Sequence, residues 1–119
     1  MSAGPNNPDL QLHGQWTLTK IADTILPKHA GATMTVTADQ VEIDVGCNKI
    51  TAVPMFGPSF FQFRSIRTTE ETPSPEIRTL EAQVIEALAR IKAMQIGAGD
   101  DLSFYDGMNA LQIGAQRTP

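Results

Sequence analysis

The sequence has 119 residues and a mass of 12.9 kDa, a size that suits one domain with one core. Hydrophobic residues make up 41% and charged residues 18%, which is the balance of a globular protein. The net charge is −4, and an acidic chain without clustered lysine and arginine is a poor candidate for binding nucleic acid backbones. Cys47 is the single cysteine, so an intramolecular disulfide and a four-cysteine zinc site are both excluded.

The N-terminal residues are polar and rich in proline, asparagine and glycine. Residues 1–11 are therefore predicted to be a flexible leader, followed by one domain over 12–116 and a tail over 117–119. The leader lacks the basic and apolar regions of a signal peptide. No stretch approaches the roughly 18–20 apolar residues of a membrane span. These observations leave the cellular compartment open.

Period-two alternation predicts strands in the first half of the chain. Residues 14–21 form the first strand, and residues 33–37 and 41–45 form a hairpin. In the strand over 41–45, Glu42 and Asp44 alternate with apolar residues, so one face of the hairpin is expected to be solvated. Three further strands are predicted, over 49–55 with Pro54 ending it, over 60–63, and as a short piece over 66–69.

The pattern then changes to a helical period. Apolar residues recur every three or four positions between 75 and 91 and define one amphipathic helix. Ser74 occupies the N-cap position, Pro75 the first helical position, and Arg90 the last turn, where the helix dipole favours cations. Glu81 and Arg78 are expected to lie off the apolar stripe. The stripe consists of Ile77, Leu80, Val84, Leu88 and Ile91.

The tail returns to period two and predicts three more short strands. Met94 and Ile96, then Leu102 and Phe104, then a pair near the C-terminus alternate with polar residues. About eight strands with hairpin-length connections favour an antiparallel arrangement. The predicted fold is α+β and mainly β: a small curved antiparallel sheet, or a lipocalin-like barrel, closed by the helix over about 75–91.

The ordered features resemble those of the META domain family, also called HslJ-like after the heat-shock protein HslJ. Residues 14–18, Gly-Gln-Trp-Thr-Leu, resemble the opening strand of the family, and Gly46-Cys47-Asn48 resembles its central turn. Residues 66–69 resemble its next strand, and residues 80–88 resemble its helix, which carries a glutamate, an apolar residue and a leucine. Two closing strands complete the resemblance, which spans about 12–115.

One departure from the family pattern affects cysteine chemistry. After Thr68 and Thr69 the family usually has Met-Ala-Cys, whereas this chain has Glu70, Glu71, Thr72 and Pro73, so that Pro73 falls at the second cysteine position. Any disulfide that such a pair of cysteines would form is excluded here, because Cys47 is the single cysteine. The resemblance implies a small β-barrel-like fold with a packed helix, a location in the cell envelope, a stress-related role and no established catalysis.

Cys47 is the first candidate for chemistry. A nucleophilic or redox role needs a thiol pKa lowered by a nearby base or helix N-terminus, and His29 could fold close to it. The alternative is a structural residue in a turn, where Gly46 permits positive φ and Asn48 forms an Asx turn. We favour the structural interpretation. The family-motif turn Gly46, Cys47 and Asn48 therefore carries no predicted catalytic role.

The remaining polar residues give weaker candidates. His13 and His29 lack metal-ligand spacing, and no Gly-x-Ser-x-Gly elbow occurs, so neither a metal site nor a serine triad is predicted. The carboxylate pairs are interpreted as a solvated strand face and two acidic loops, with acid–base work or calcium binding as alternatives. These pairs are Glu42 with Asp44, Glu70 with Glu71, and Asp100 with Asp101, near Asp106.

Aromatic residues cluster after the fourth strand. Phe60, Phe61 and Phe63 cannot all face one side of a strand, because neighbouring side chains alternate. The sequence therefore leaves two alternatives, a core filled by all of these rings or an exposed patch that contacts a peptide, lipid or protein. The candidate patch consists of Met55, Phe56, Phe60 and Phe61.

We expect a non-enzymatic, monomeric META/HslJ-like domain with no cofactor, no nucleic acid partner and no membrane span. Its expected partners are envelope proteins, peptides or lipids. The first alternative is a binding module that holds a small ligand, lipid or peptide in the barrel interior or on the aromatic patch. The second is an enzyme that uses Cys47 or a carboxylate pair.

Overall fold

A computed structural model describes residues 12–22, 24–26, 31–37, 39–57, 60–97 and 100–118. The predicted leader over 1–11 lies outside these residues. Nine antiparallel strands and one helix, α1, make up the described part of the chain. Their bounds are β1 Gly14–Ile21, β2 Thr24–Ile25, β3 Thr33–Val36, β4 Val41–Asp44, β5 Lys49–Gly57, β6 Phe60–Thr68, α1 Pro75–Arg90, β7 Ala93–Gly97, β8 Asp101–Tyr105 and β9 Leu111–Arg117.

The strands form one sheet in the order β6-β5-β4-β3-β1-β9-β8-β7, with the two-residue β2 paired to β1. This sheet curls into a half-barrel whose two edge strands approach each other. The Phe61 N–H, in β6, donates a 3.2 Å hydrogen bond to the carbonyl of Lys92, directly before β7. The predicted mainly β fold of about eight strands and one helix is confirmed. Strand β2 was not predicted, because two residues give no periodic signal.

Helix α1 begins as the sequence predicts and ends one residue earlier. The Ser74 hydroxyl accepts the Ile77 N–H at 3.4 Å, Pro75 follows at the first helical position, and Ile91 is the C-cap. The helix packs on β6, β9, β1 and β5 and so closes the half-barrel. Among the residues that the structure describes, no helix has both the length and the apolar character needed to cross a bilayer.

The core lies between the concave face of the sheet and the helix. Its side chains come from the inward positions of every long strand and from one helical face, which is the alternation that the sequence predicts. Glu42 and Asp44 lie half-exposed on the convex face, opposite Val41 and Ile43. The largest fully buried side chains include Trp16, Leu18, Ile21, Met34, Ile43, Ile50, Leu88, Ile91, Leu102, Phe104 and Ile113.

Two predicted strand boundaries are wrong in β5 and β6. Pro54 does not end β5, which continues to Gly57. Strand β4 pairs only as far as Ala52, so beyond this point β6 is the one partner of β5 among the described residues. A missing N–H is tolerated on such an edge. The two predicted pieces over 60–63 and 66–69 form one strand, β6, because a bulge at Ser65 (φ 54°) carries the chain across the break in alternation.

The C-terminal boundary also lies further along the chain than predicted. Arg117 belongs to β9, and the Thr118 N–H donates a 2.9 Å hydrogen bond to the Gln15 carbonyl. The Arg117 guanidinium lies 4.2 Å from the centroid of the Trp16 ring, a cation–π arrangement. These contacts make residues 117 and 118 part of the folded domain.

Candidate functional site

The turn Gly46-Cys47-Asn48 joins β4 to β5 and lies against the first turns of α1. Gly46 has φ +133°, a conformation that side chains disfavour. A Cβ atom there would also lie 2.9 Å from Cδ1 of Ile77. Two independent constraints therefore require glycine at position 46. They are its backbone conformation and its close approach to the helix.

Asp44, the last residue of β4, stabilises the start of this turn through its carboxylate. Its Oδ1 accepts the Gly46 N–H at 2.8 Å, and its Oδ2 lies 2.9 Å from the Lys49 ammonium. Desolvation alone would raise the pKa of Asp44, but the hydrogen bonds from Lys49 and Gly46 and the charge of Lys49 together outweigh it. The pKa of Asp44 is therefore lowered, and the carboxylate stays ionised.

Asn48 ends the turn and is 5% exposed. Its Nδ2 donates to Glu81 Oε1 at 2.8 Å and to the Glu71 carbonyl at 3.3 Å. Its Oδ1 accepts from the Thr69 hydroxyl at 2.8 Å and from the Glu71 N–H at 2.7 Å. Two donated and two accepted hydrogen bonds use the full capacity of a primary amide. Asn48 thus joins the turn to the segment between β6 and α1.

Glu81 connects the same turn to the helix. Its Oε2 accepts the Asn48 N–H at 2.7 Å, and its Oε1 accepts from Asn48 Nδ2. Glu81 is 6% exposed, so the expectation that it lies off the buried helix face is wrong. The two amide donors compensate for the loss of water around this carboxylate, which makes its burial tolerable.

Cys47 lies between these two anchored residues as a half-buried free thiol. Desolvation is the largest cause that raises its pKa, followed by the negative charges of Glu81, Glu71 and Asp44. A reactive cysteine requires the opposite environment, a base or cation that stabilises the thiolate. The arrangement around Cys47 therefore disfavours nucleophilic chemistry. His29, the proposed helper, lies outside the described residues.

Two members of this cluster, Glu81 and Thr69, were not predicted from the sequence. A signal for Glu81 exists in the spacing, because it lies four positions after Ile77 and three before Val84, on the same helical face. Thr69 gives no comparable signal. Its hydroxyl accepts the Lys49 N–H at 3.1 Å and donates to Asn48, which ties the end of β6 to β5.

The other polar candidates are separated in the structure. Asp100 Oδ1 lies 3.5 Å from Nε of Arg117. Asp101 Oδ1 accepts a hydrogen bond from Nε2 of Gln116. Asp106 accepts the N–H groups of Ala110 and Met108, and these two hydrogen bonds lower its pKa. Across the described ranges, no three histidine, cysteine or carboxylate side chains meet in a group that could hold a metal.

One member of the predicted aromatic patch, Phe61, lies in the core. Phe61 is 5% exposed and stacks on Phe104 at 5.7 Å between ring centroids, with Phe63 5.1 Å away edge-on. Phe61 is therefore not available at the surface, because it lies on the same inward face as Phe63. Met55 is half-buried, and the side chains of Phe56 and Phe60 lie outside the described residues.

Comparisons with known proteins agree with this architecture. The chain is similar to a protein from Burkholderia xenovorans solved by NMR, with a TM-score of 0.70 at 19% identity over 94% of this chain and 88% of that one. It is also similar to a DUF4847 family protein from Bacteroides vulgatus, with a TM-score of 0.62 at 14% identity over 92% and 96%. At these identities the likeness shows the fold alone. No curated protein matches the chain significantly.

A family model described as the META domain matches residues 8–117, nearly the whole sequence. Within this span, the turn at 46–48, the threonine at 69 and the helix glutamate at 81 form one hydrogen-bonded cluster. The chain belongs to the META domain family.

Proposed function

We propose that this chain is a non-enzymatic META domain that acts through contacts of its outer surface with other components of a bacterial cell envelope. One observation carries the proposal: the polar groups of its most distinctive turn serve the fold. Asn48 uses every hydrogen-bonding site of its side chain, and both oxygens of Glu81 accept from Asn48. An acid–base or nucleophilic catalyst needs a group free to meet a substrate.

Packing of the interior supports action at the outer surface over a ligand carried inside the barrel. The rings of Phe61, Phe63 and Phe104 contact one another with centroids 5.1 to 5.7 Å apart. Trp16, Met34 and Ile50 are fully buried further along the concave face. Side chains packed in this way occupy the space that an interior ligand would need.

The envelope location and the stress-related role come from the resemblance to HslJ, and they can be tested together. The gene is expressed in its native bacterium with a C-terminal epitope tag, and the cells are fractionated. In parallel, a deletion strain is complemented under heat and envelope stress with the wild type, Cys47→Ser and Glu81→Ala. We expect the tag in the envelope fractions, full rescue by Cys47→Ser, and reduced rescue by Glu81→Ala, which damages the fold.

Two results would contradict the proposal. The first is a tagged protein confined to the cytosol, which removes the envelope role. The second is a Cys47→Ser variant that keeps the wild-type melting temperature but fails to rescue, because that result assigns a chemical role to the thiol.

A further inference from the structure

Strand β7 is an edge strand without the features that usually prevent a further strand from pairing. Natural edge strands carry charges, prolines or bulges for this purpose. Strand β6, at the other edge of the sheet, has Arg64, Arg67 and the bulge at Ser65, and the part of β5 beyond β4 has Pro54. Strand β7 is Ala-Met-Gln-Ile-Gly and pairs with β8 without a register shift. It therefore has no charge, no proline and no bulge.

The register of β8 fixes which backbone groups of β7 are already used. The Arg117 N–H donates a 3.1 Å hydrogen bond to the carbonyl of Asp100, so the backbone groups of Asp100 face β9. Successive residues of a strand bond to opposite sides, and Ser103, three positions later, therefore faces β7. Ser103 is opposite Gln95, so the backbone groups of Gln95 bond to β8.

The N–H and C=O groups of Met94 and Ile96 point to the open side of β7, because these residues lie on either side of Gln95. Lys92 follows the same alternation, since its carbonyl accepts the Phe61 N–H at 3.2 Å. That bond joins the start of β7 to β6. Beyond it, no strand within the described ranges pairs with this side of β7. Two N–H groups and two carbonyls are therefore available there.

A second copy of β7 matches these groups in one antiparallel register. When Met94 of each copy lies opposite Ile96 of the other, every available N–H and C=O group forms a hydrogen bond, four bonds in all. Gln95 then lies opposite Gln95 of the second copy, on the twofold axis. A register centred on Met94 or on Ile96 forms only two of these bonds. The register centred on Gln95 is therefore favoured.

The side chains of β7 also suit pairing with a second copy. Met94 and Ile96 are half-buried beside the core, and Gln95 is exposed on the opposite face. Across the axis, Met94 packs against Ile96, and the two Gln95 amides form hydrogen bonds with each other. Two chains of net charge −4 meet here through an uncharged strand. Exposed Lys92 precedes this strand and exposed Asp101 begins β8 after it, so antiparallel pairing brings unlike charges together at both ends.

We propose that two copies of this protein associate through their β7 strands, which continues the sheet across a twofold axis at Gln95. A contact of five residues on each side is smaller than the roughly 1,200 Å² that stable interfaces bury, so the dimer is weak and forms in concentrated protein. The inference replaces the expectation of a monomer under these conditions. It goes beyond the proposed function and does not depend on it.

The test is a dilution series of the full-length ¹⁵N-labelled protein, followed by NMR and by sedimentation equilibrium. We expect a monomer–dimer equilibrium with a dissociation constant of about 0.1–1 mM, the range of a small contact. The amides of Met94 and Ile96 should shift with concentration, and their exchange with deuterium should slow as the dimer forms. The amide of Gln95, which already bonds to β8, should show little change in exchange.

Charge variants at the axis identify the register. Gln95→Lys places two like charges directly opposite each other and is expected to weaken association about 5-fold. Gln40→Lys makes the same change at an exposed residue of the β3–β4 connection and should leave association unchanged. An equimolar mixture of Gln95→Lys and Gln95→Glu should associate at least as tightly as the wild type, because unlike charges then face each other. Both positions are exposed, so native spectra are expected for all three variants.

Sedimentation as a monomer at every concentration up to roughly 2 mM would overturn the inference, since even a small contact is populated there. Equal effects of Gln95→Lys and Gln40→Lys would overturn it as well, and so would a mixture of the two Gln95 variants that associates no better than Gln95→Lys alone. None of these results bears on the proposed function, because that proposal is tested separately by fractionation and complementation.

Discussion

The side-chain amide of Asn48 donates a 2.8 Å hydrogen bond to Oε1 of Glu81, 33 positions later in the chain. This bond joins the β4–β5 turn to helix α1 in a buried environment. Buried polar groups with all partners in place stabilise one unique arrangement, and the same groups are costly when a partner is lost. The stability of this domain should therefore depend on the pair more than on its surface ion pairs.

Glu81→Ala tests this dependence. It leaves the Asn48 N–H and one Nδ2 hydrogen without acceptors, so the free energy of unfolding should fall by about 2–4 kcal/mol. Urea unfolding followed by Trp16 fluorescence measures the change. The control is Glu86→Ala, which removes an exposed glutamate on the same helix whose partner is Arg90, and which should cost less than about 0.5 kcal/mol. Equal effects of the two variants would contradict the role of the buried pair.

Gly46→Ala tests the contact between the turn and the helix. The alanine must adopt φ +133°, and its methyl group would lie 2.9 Å from Cδ1 of Ile77. We therefore expect a loss of about 2–4 kcal/mol of unfolding free energy. Gly31→Ala provides the control, since φ is +77° there but the space around a Cβ is empty. It should show the backbone cost alone, about 1–2 kcal/mol. Ile77→Ala combined with Gly46→Ala should recover part of the difference, and no recovery would place the strain elsewhere.

The pKa of the Cys47 thiol should lie above the ordinary cysteine value of about 8.5. Burial and the charges of Glu81, Glu71 and Asp44 all raise its pKa. The thiolate absorbance near 240 nm as a function of pH measures this value, and the reaction rate with Ellman's reagent at neutral pH should be slow. Glu71→Gln removes one negative charge and should lower the pKa of Cys47. A thiol that ionises below pH 7 would contradict the structural interpretation and support a nucleophile.

The acid stability of the domain should depend on Asp44. A carboxyl whose pKa is lower in the folded state stabilises the fold above its unfolded pKa, here near 3.8, and this contribution is lost as the pH falls through the folded value. Asp44→Asn should therefore reduce the slope of unfolding free energy against pH below about pH 4, and at neutral pH it should cost less than about 1 kcal/mol. Lys49→Gln should reduce the slope in the same way, because it removes a cause of the lowered pKa. An unchanged slope in both variants would show that the pair does not contribute.

The elements of the fold were predictable where local patterns are strong. Ser74, Pro75 and the apolar stripe define α1 to within one residue, since caps and periodicity act inside the element. Strand boundaries at Pro54 and Ser65 were not predictable. Whether a proline lies in a strand depends on how far the neighbouring strand reaches, and a bulge depends on the register of a partner.

The candidate site, like the fold, was predictable from the sequence only in part. The turn at Gly46, Cys47 and Asn48 was identified from sequence, because a short turn motif is local. Its partners were not, because the burial of a glutamate is decided by what faces it. The burial of Phe61 was not predictable either, because alternation alone allows its ring to lie on either face of β6.

By itself the sequence determined an acidic composition, a mainly β pattern with one capped amphipathic helix, and one cysteine that cannot form an internal disulfide. These properties follow from composition, from periods of two and 3.6 residues, and from residue counts. Only the tertiary structure decided that Glu81 is buried against Asn48, and that burial and the charges of Glu81, Glu71 and Asp44 raise the pKa of the Cys47 thiol. Each of these depends on residues far apart in the chain, which sheet register and helix packing bring into contact.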